Sequence, residues 1–305
     1  MSNKTRVMWN GTVRALPFRE QVKAAGIAGC SAIAVTPSDY NKWLGASLST
    51  SDLRGIAADG GVRITHLDPF VRWTSDWKPH IEGMNFPTDI VGFDEDDFFR
   101  MAAALEVDSF TAWSGFAANR YPVSEVEDAF GDLCARAAKE GLRCDLEFIP
   151  VFGVNSLKMA WQILQQAKAD NAGIVFDFWH YMRSGPDEKL LRSIPGDKIT
   201  AVQLCDATAR VPEGMSLAYD GLNNRLTPGD GDFPISRLIE TLSEIGALNN
   251  VGVEVFSPQY DKLSAQQIGE ITQGVFERYL PPPARTHEGW SLARRTSNRL
   301  RAMID

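Results

Sequence analysis

Asp145-Leu146-Glu147-Phe148, Val175-Phe176-Asp177-Phe178, Ala201-Val202-Gln203-Leu204 and Gly252-Val253-Glu254-Val255 share one pattern: apolar residues alternate, and a Glu, Asp or Gln falls near the end of each run. Successive side chains of a strand point to opposite faces. One parity carries Leu146 and Phe148, Phe176 and Phe178, Val202 and Leu204, Val253 and Val255, all suited to packing against helices. The other parity carries Glu147, Asp177, Gln203 and Glu254. Apolar outside and acidic inside is the pattern of strands in a closed barrel clothed by helices, with its reactive groups at the strand ends.

The rest of the chain extends the rhythm. The spacing predicts strands over 6–12, 32–37, 62–68, 108–114, 143–149, 172–179, 199–206 and 250–256. Amphipathic helical patterns fall over 18–28, 51–59, 95–106, 123–140, 156–169, 187–193, 234–246 and 264–279. Eight strands, each followed by a helix, give an α/β protein built as a (β/α)8 TIM barrel. An open doubly wound sheet would carry a glycine-rich turn after its first strand, and Trp9-Asn10-Gly11-Thr12 is no such fingerprint. The expected layout is one barrel domain over 1–280 and a C-terminal extension over 281–305. Long loops follow strand three (70–93) and strand seven (207–233), on the face where this fold builds its site. The tail, with Arg285, Arg294, Arg295, Arg299 and Arg301, reads either as a solvated extension or as a helix packed on a neighbouring subunit or over the barrel.

Composition limits the function. The 305 residues are 44% hydrophobic and 23% charged, enough for a large core, and a net charge of -8 disfavours a nucleic-acid partner. Cys30, Cys134, Cys144 and Cys205 are scattered, which fits free thiols in a reducing cytoplasm better than disulfides or a zinc cluster. Residues 1–13 lack the basic-then-apolar pattern of a signal peptide, and no apolar run approaches the ~20 residues of a membrane span, so a cytoplasmic protein without membrane contact is expected.

Three carboxylates converging inside a barrel repel one another and lose solvation, and a divalent cation relieves both penalties. Pairing with an interior base is the alternative, and the four strands offer only Arg143, at the far end of its strand. Ligation by oxygen alone suits Mn2+ or Mg2+, with Co2+ or Zn2+ tolerated.

Leu146-Glu147-Phe148-Ile149-Pro150, Phe176-Asp177-Phe178-Trp179-His180, residues 201–206, residues 228–233 and residues 251–256 together resemble the xylose isomerase-like superfamily of sugar isomerases and epimerases, most densely from residue 143 onward. The resemblance implies one metal ion held by Glu147, Asp177, Gln203 and Glu254. Gln203 is the departure, since many members carry His there; an amide oxygen still ligates and makes the site harder. The resemblance also implies that His180, three residues past Asp177, touches substrate, and that Arg225, ahead of Pro228-Gly229, reaches it; Arg210 is the weaker candidate.

His66 shares inward parity with Ile64 and reads as a substrate contact or a core histidine, while His80 lies on the long loop. Trp9, Trp113 and Trp179 fall at strand ends and Trp43, Trp73 and Trp77 on following loops, which together suggest an aromatic-walled pocket and make Trp9, Trp113 and Trp179 candidate substrate contacts. Gly229-Asp230-Gly231 lacks the features of a phosphate loop and reads as a tight turn into the next helix.

The expected chemistry is removal of a proton alpha to a carbonyl by one of Glu147 and Glu254, with its return by the other, on a carbohydrate-like small molecule. Isomerase, epimerase and dehydratase outcomes share that first step. A DNA-repair endonuclease of the same superfold needs more histidines than the four in this chain. A non-catalytic sugar-binding barrel has no use for two proton-transfer groups beside a metal. A homo-oligomer is expected only by analogy.

Overall fold

The computed structural model describes residues 5–78 and 92–280. Eight parallel strands close a barrel in chain order: β1 (Thr5–Met8), β2 (Ala32–Val35), β3 (Arg63–Phe70), β4 (Ser109–Trp113), β5 (Arg143–Glu147), β6 (Ala172–Asp177), β7 (Ile199–Leu204) and β8 (Asn250–Val253), with β8 pairing back onto β1. This is the (β/α)8 barrel expected from the alternation. The 281–305 tail and His80 lie outside the described residues.

The helices bury one stripe each. In Val123–Lys139 the stripe is Val126, Phe130, Leu133, Cys134 and Ala137, spaced at i, i+4, i+7, i+8 and i+11. The outward strand residues Leu146, Phe148, Phe176, Phe178, Val202, Leu204, Val253 and Val255 are fully buried in the same layer, as their parity requires. Each such side chain contributes ~1.5–3 kcal/mol by leaving water.

The barrel interior is a separate packing unit. Trp9 occupies it among Val7, Ala32, Ala34, Val175 and Ala201. Small residues on the facing strands make that possible. A Cβ on Gly252 would stand 1.8 Å from the Val7 carbonyl oxygen and 2.9 Å from Trp9 Cδ1, so only glycine fits.

Several elements end earlier than the hydrophobic pattern suggests. β1 stops at Met8, and Asn10–Val13 turns helical. β6 stops at Asp177 because that side chain caps the helix Phe178–Arg183, accepting the His180 N–H at 2.8 Å. Residues 37–45 form a helix that the pattern passes over, capped by Thr36 and opened by Pro37. Inside the 207–233 segment, Leu217–Asn223 is helical and capped by Ser216.

Register slips between neighbouring strands reset the parity, and two of them bear on the site. Ile33 pairs with Ile64 but Ala34 pairs with His66, so Thr65 is the extra residue. Ile64 therefore joins the outer layer while His66 turns inward, and the two do not share a face as alternation predicts. Between β6 and β7 the same slip inserts Thr200, whose hydroxyl donates to Asp145 Oδ1 at 2.7 Å. All four cysteines are buried free thiols, and among the described residues no helix is long and apolar enough to cross a membrane.

Candidate functional site

The C-terminal ends of β5 to β8 carry Glu147, Asp177, Gln203 and Glu254 to one floor, and all four are buried. Gln203 stands directly opposite Asp177 in the ladder, and Glu254 follows β8 with its N–H still donating to the Leu204 carbonyl at 2.8 Å. Gly11 makes room for Glu254, because a Cβ there would stand 2.9 Å from its Cγ.

Each carboxylate is held differently. Glu147 Oε2 accepts the indole N–H of Trp113, and its Oε1 lies 3.2 Å from His180 Nε2. Asp177 spends Oδ1 on the helix cap and Oδ2 on Arg225 Nη1 at 2.7 Å. Glu147, Asp177 and His180 can each turn a ligand atom to within 4.8 Å of the others, so His180 has the position of a possible ligand as well as that of a substrate contact. Burial pushes the Glu254 carboxyl well above the usual range; Arg225 opposes that shift, and Asp68, Asp177 and Glu147 add to it.

A divalent ion fits this donor set on one observation. Gln203 Oε1 and Nε2, Glu254 Oε1 and His180 Nδ1 are buried polar atoms with no hydrogen-bond partner among the described residues. Each such atom costs ~1–3 kcal/mol if left unpaired. The unpaired carbonyl oxygen of Gln203 and carboxylate oxygen of Glu254, beside the carboxylates of Glu147 and Asp177, are the donors a hard cation takes.

Arg225 corrects the expectation that no interior base compensates these acids. It comes not from a strand but from the segment after β7, and it is buried. Its Nε donates to the Gly221 carbonyl at 2.7 Å, and Nη1 lies 3.7 Å from Glu254 Oε2. The guanidinium sits over the rings of Phe256 and Trp179, at 4.8 and 5.6 Å from their centroids. Burial works against its charge, but Asp177 and Glu254 outweigh that and hold it protonated more firmly than usual. Arg143 instead pairs with Asp145 at 2.8 Å. Arg210 is exposed and not among the residues lining the cavity.

The cavity above this floor has a volume of about 1040 Å³ counting its open mouth. Of the predicted contacts, His180, Arg225, Trp113 and Trp179 line it together with Glu147 and Glu254. His66 and Trp9 do not. They stack edge-on with ring centroids 4.9 Å apart inside the barrel, and His66 Nδ1 pairs with Thr65 Oγ1 at 2.7 Å. Trp43 packs on Phe18 and Trp73 on Phe116 and Phe130, so the aromatic wall comprises two of the six indoles and not all of them.

His66 gives the fold an acid limit. Burial pushes its imidazole down from 6.5 to about 4. The folded value lies below the unfolded one, so the unfolded chain takes up the proton first. The stabilisation is complete above pH 6.5 and is lost as pH falls toward 4, by about 3 kcal/mol. A His66→Gln protein is expected to show a flatter decline of urea midpoint over that window; an unchanged slope would show that His66 is not its source.

Sequence reasoning missed Asp68. It lies two residues beyond His66 on the same inward parity, and that step was the signal that could have found it. It is buried and accepts from Asn10 Nδ2 at 3.2 Å. Burial and then the Glu147 charge raise its carboxyl well above the usual range. Asp206 was also missed. Its carboxylate accepts the backbone N–H groups of Ala207, Gly229 and Phe233 at 2.8, 2.9 and 2.9 Å, folding Gly229-Asp230-Gly231 into a turn before the helix Ile235–Glu244.

Comparison with known proteins agrees with this geometry. The profile of a family described as the xylose isomerase-like TIM barrel matches residues 20–275. An inosose isomerase of Bacillus velezensis is 32% identical over 154 residues, 48% of this chain and 53% of that protein. A 3-dehydroshikimate dehydratase of Pseudomonas aeruginosa is 26% identical over 241 residues, 78% of this chain and 36% of that protein. The chain thus spans about half the length, or less, of these curated relatives. The crystal structure of the IOLI protein with a binding zinc atom superposes with a TM-score of 0.76 at 21% identity, over 91% of this chain and 100% of that one, a likeness of fold.

Proposed function

Because the chain belongs to the xylose isomerase-like TIM barrel family, we propose that it is an isomerase or epimerase of a keto sugar or cyclitol, with Glu147, Asp177, Gln203 and Glu254 holding one divalent ion, Mn2+ or Mg2+. The observation that carries this reading is the meeting of two glutamates from β5 and β8 on one cavity floor beside buried oxygens of Gln203 and Glu254 that lack partners. Bound there, the ion supplies Lewis acidity toward a substrate carbonyl.

The chain's own groups do the rest. Glu254 removes the proton alpha to the carbonyl with the carboxylate oxygen that the ion does not take. Glu147, held by Trp113 and His180, stands three strands away around the ring; it delivers from its own side a proton taken up from solvent, and Glu254 then releases its proton to solvent. Return to the same carbon inverts it, and return to the neighbour interconverts aldose and ketose. Arg225 keeps Asp177 oriented and the floor from excess negative charge.

The test pairs two measurements. Purified protein is expected to hold one divalent ion per chain, and incubation with an inosose or ketose in deuterium oxide is expected to place deuterium alpha to the carbonyl. Turnover without exchange would overturn the mechanism, and full activity after complete metal removal would overturn the ion. A second reading, loss of a β-hydroxyl after the same proton removal, is favoured by the similarity to a 3-dehydroshikimate dehydratase over 78% of this chain. It is distinguished by the ultraviolet absorbance of a conjugated enone product.

A further inference from the structure

The cavity is two-sided. Residues after β1 and β2, on one side of the ring, give it Asn10, Arg14, Thr36 and Asp39. Residues after β5 and β7, on the other, give it Ile149, Val151, Phe152, Ala218 and Leu222. The side chains of Ile149, Val151, Phe152, Ala218 and Leu222 offer neither a donor nor an acceptor.

The two indoles extend that wall. Trp113 gives its N–H to Glu147, and Trp179 gives its own to Asp220 Oδ2 at 2.8 Å. Each therefore presents only ring carbon to a ligand. A free ketose or inosose carries hydroxyls around its whole periphery. Placed here, those turned above the floor toward Ile149, Val151, Phe152, Ala218 and Leu222 would lose water and gain no side-chain partner from these residues.

Building on the proton-transfer reading of the floor, we propose that the substrate is a hydroxylated keto ring carrying an aromatic substituent. The ring lies on the floor against the Asn10 side, and the substituent lies on the wall formed by Val151, Phe152 and Leu222 with the Trp113 and Trp179 faces. The chemistry is that of an oxidised aryl glycoside rather than a free sugar.

The test uses the full chain with Mn2+ added and two probes, methyl and phenyl 3-keto-glucopyranoside, with binding followed by titration calorimetry. The phenyl compound is expected to bind about tenfold or more tightly than the methyl one, the gain from burying one face of a phenyl ring. In Leu222→Gln, and separately in Val151→Thr, the phenyl-to-methyl ratio is expected to fall below about threefold. The ratio is internal to each protein, so partial loss of folded material does not mimic it. Equal affinity, failure of both probes to bind at millimolar concentration, or an undiminished ratio in both variants would overturn the assignment. A tenfold preference without deuterium exchange would uphold the substrate class and overturn the proton-transfer reading, so the two fail separately.

Discussion

Glu254→Gln is expected to lower solvent-deuterium exchange by about 10³-fold, within the 10²–10⁴ range of a lost general base, while the protein stays folded. The amide has the shape of the acid and accepts no proton at working pH. The fold tolerates it because the parent carboxyl is buried, stands off from Arg225 at 3.7 Å and is pushed toward its neutral form by burial. A neutral isostere of a carboxyl already pushed toward its neutral form costs the fold little, so the midpoint temperature without metal should hold. Affinity for the ion should fall, since one anionic donor is lost. Exchange is therefore measured at saturating Mn2+. A fully active variant would refute the role given to Glu254; an inactive one that also fails to fold would be resolved with Glu254→Asp, which keeps the charge and shortens its reach.

Arg225→Met should do the reverse, costing stability before chemistry. The guanidinium is the only described cation within ion-pairing distance of both Asp177 and Glu254, and it is buried. Removing one partner of such a cluster leaves charge uncompensated and costs ~3–5 kcal/mol. For a barrel of this size that is a drop of roughly 10 °C in the midpoint temperature. A divalent ion binding to the same carboxylates should restore part of the loss, so calorimetry with chelator and with Mn2+ is expected to show a larger metal-induced shift in the variant than in the parent. A variant as stable as the parent in chelator would show that the acids are balanced by some other group.

The parts of this protein that alternate were legible without coordinates. Leu146, Phe176, Val202 and Val253 could be assigned to the helix side, and Glu147, Asp177 and Glu254 to the interior, because period-two patterning and burial have the same cause. The bulges at Thr65 and Thr200 leave no such trace, since a single inserted residue looks like any other, and the shared parity of Ile64 and His66 failed there. Trp9 could not be told from a pocket wall. Whether an indole at a strand end fills the barrel depends on Ala32, Ala34, Ala201 and Gly252, which lie on three other strands. Arg225 lies in a segment without periodicity, so nothing local announced that it folds back over Asp177. The caps were a different matter: Thr36-Pro37 and Ser216 are ordinary helix-start signals that the hydrophobic pattern alone passed over.

Asp206 fastens the segment after β7 at both ends through Ala207, Gly229 and Phe233. Between those ends lie Ala218 and Leu222, which face the cavity, and Arg225, which neutralises the floor. Selectivity and charge balance are thus encoded on one stretch of chain. Grafting the corresponding segment from a relative to change what the barrel accepts would import or delete a buried cation in the same stroke. An engineer, or evolution, can retune this wall residue by residue, but wholesale exchange works only between barrels that keep an arginine at the same place.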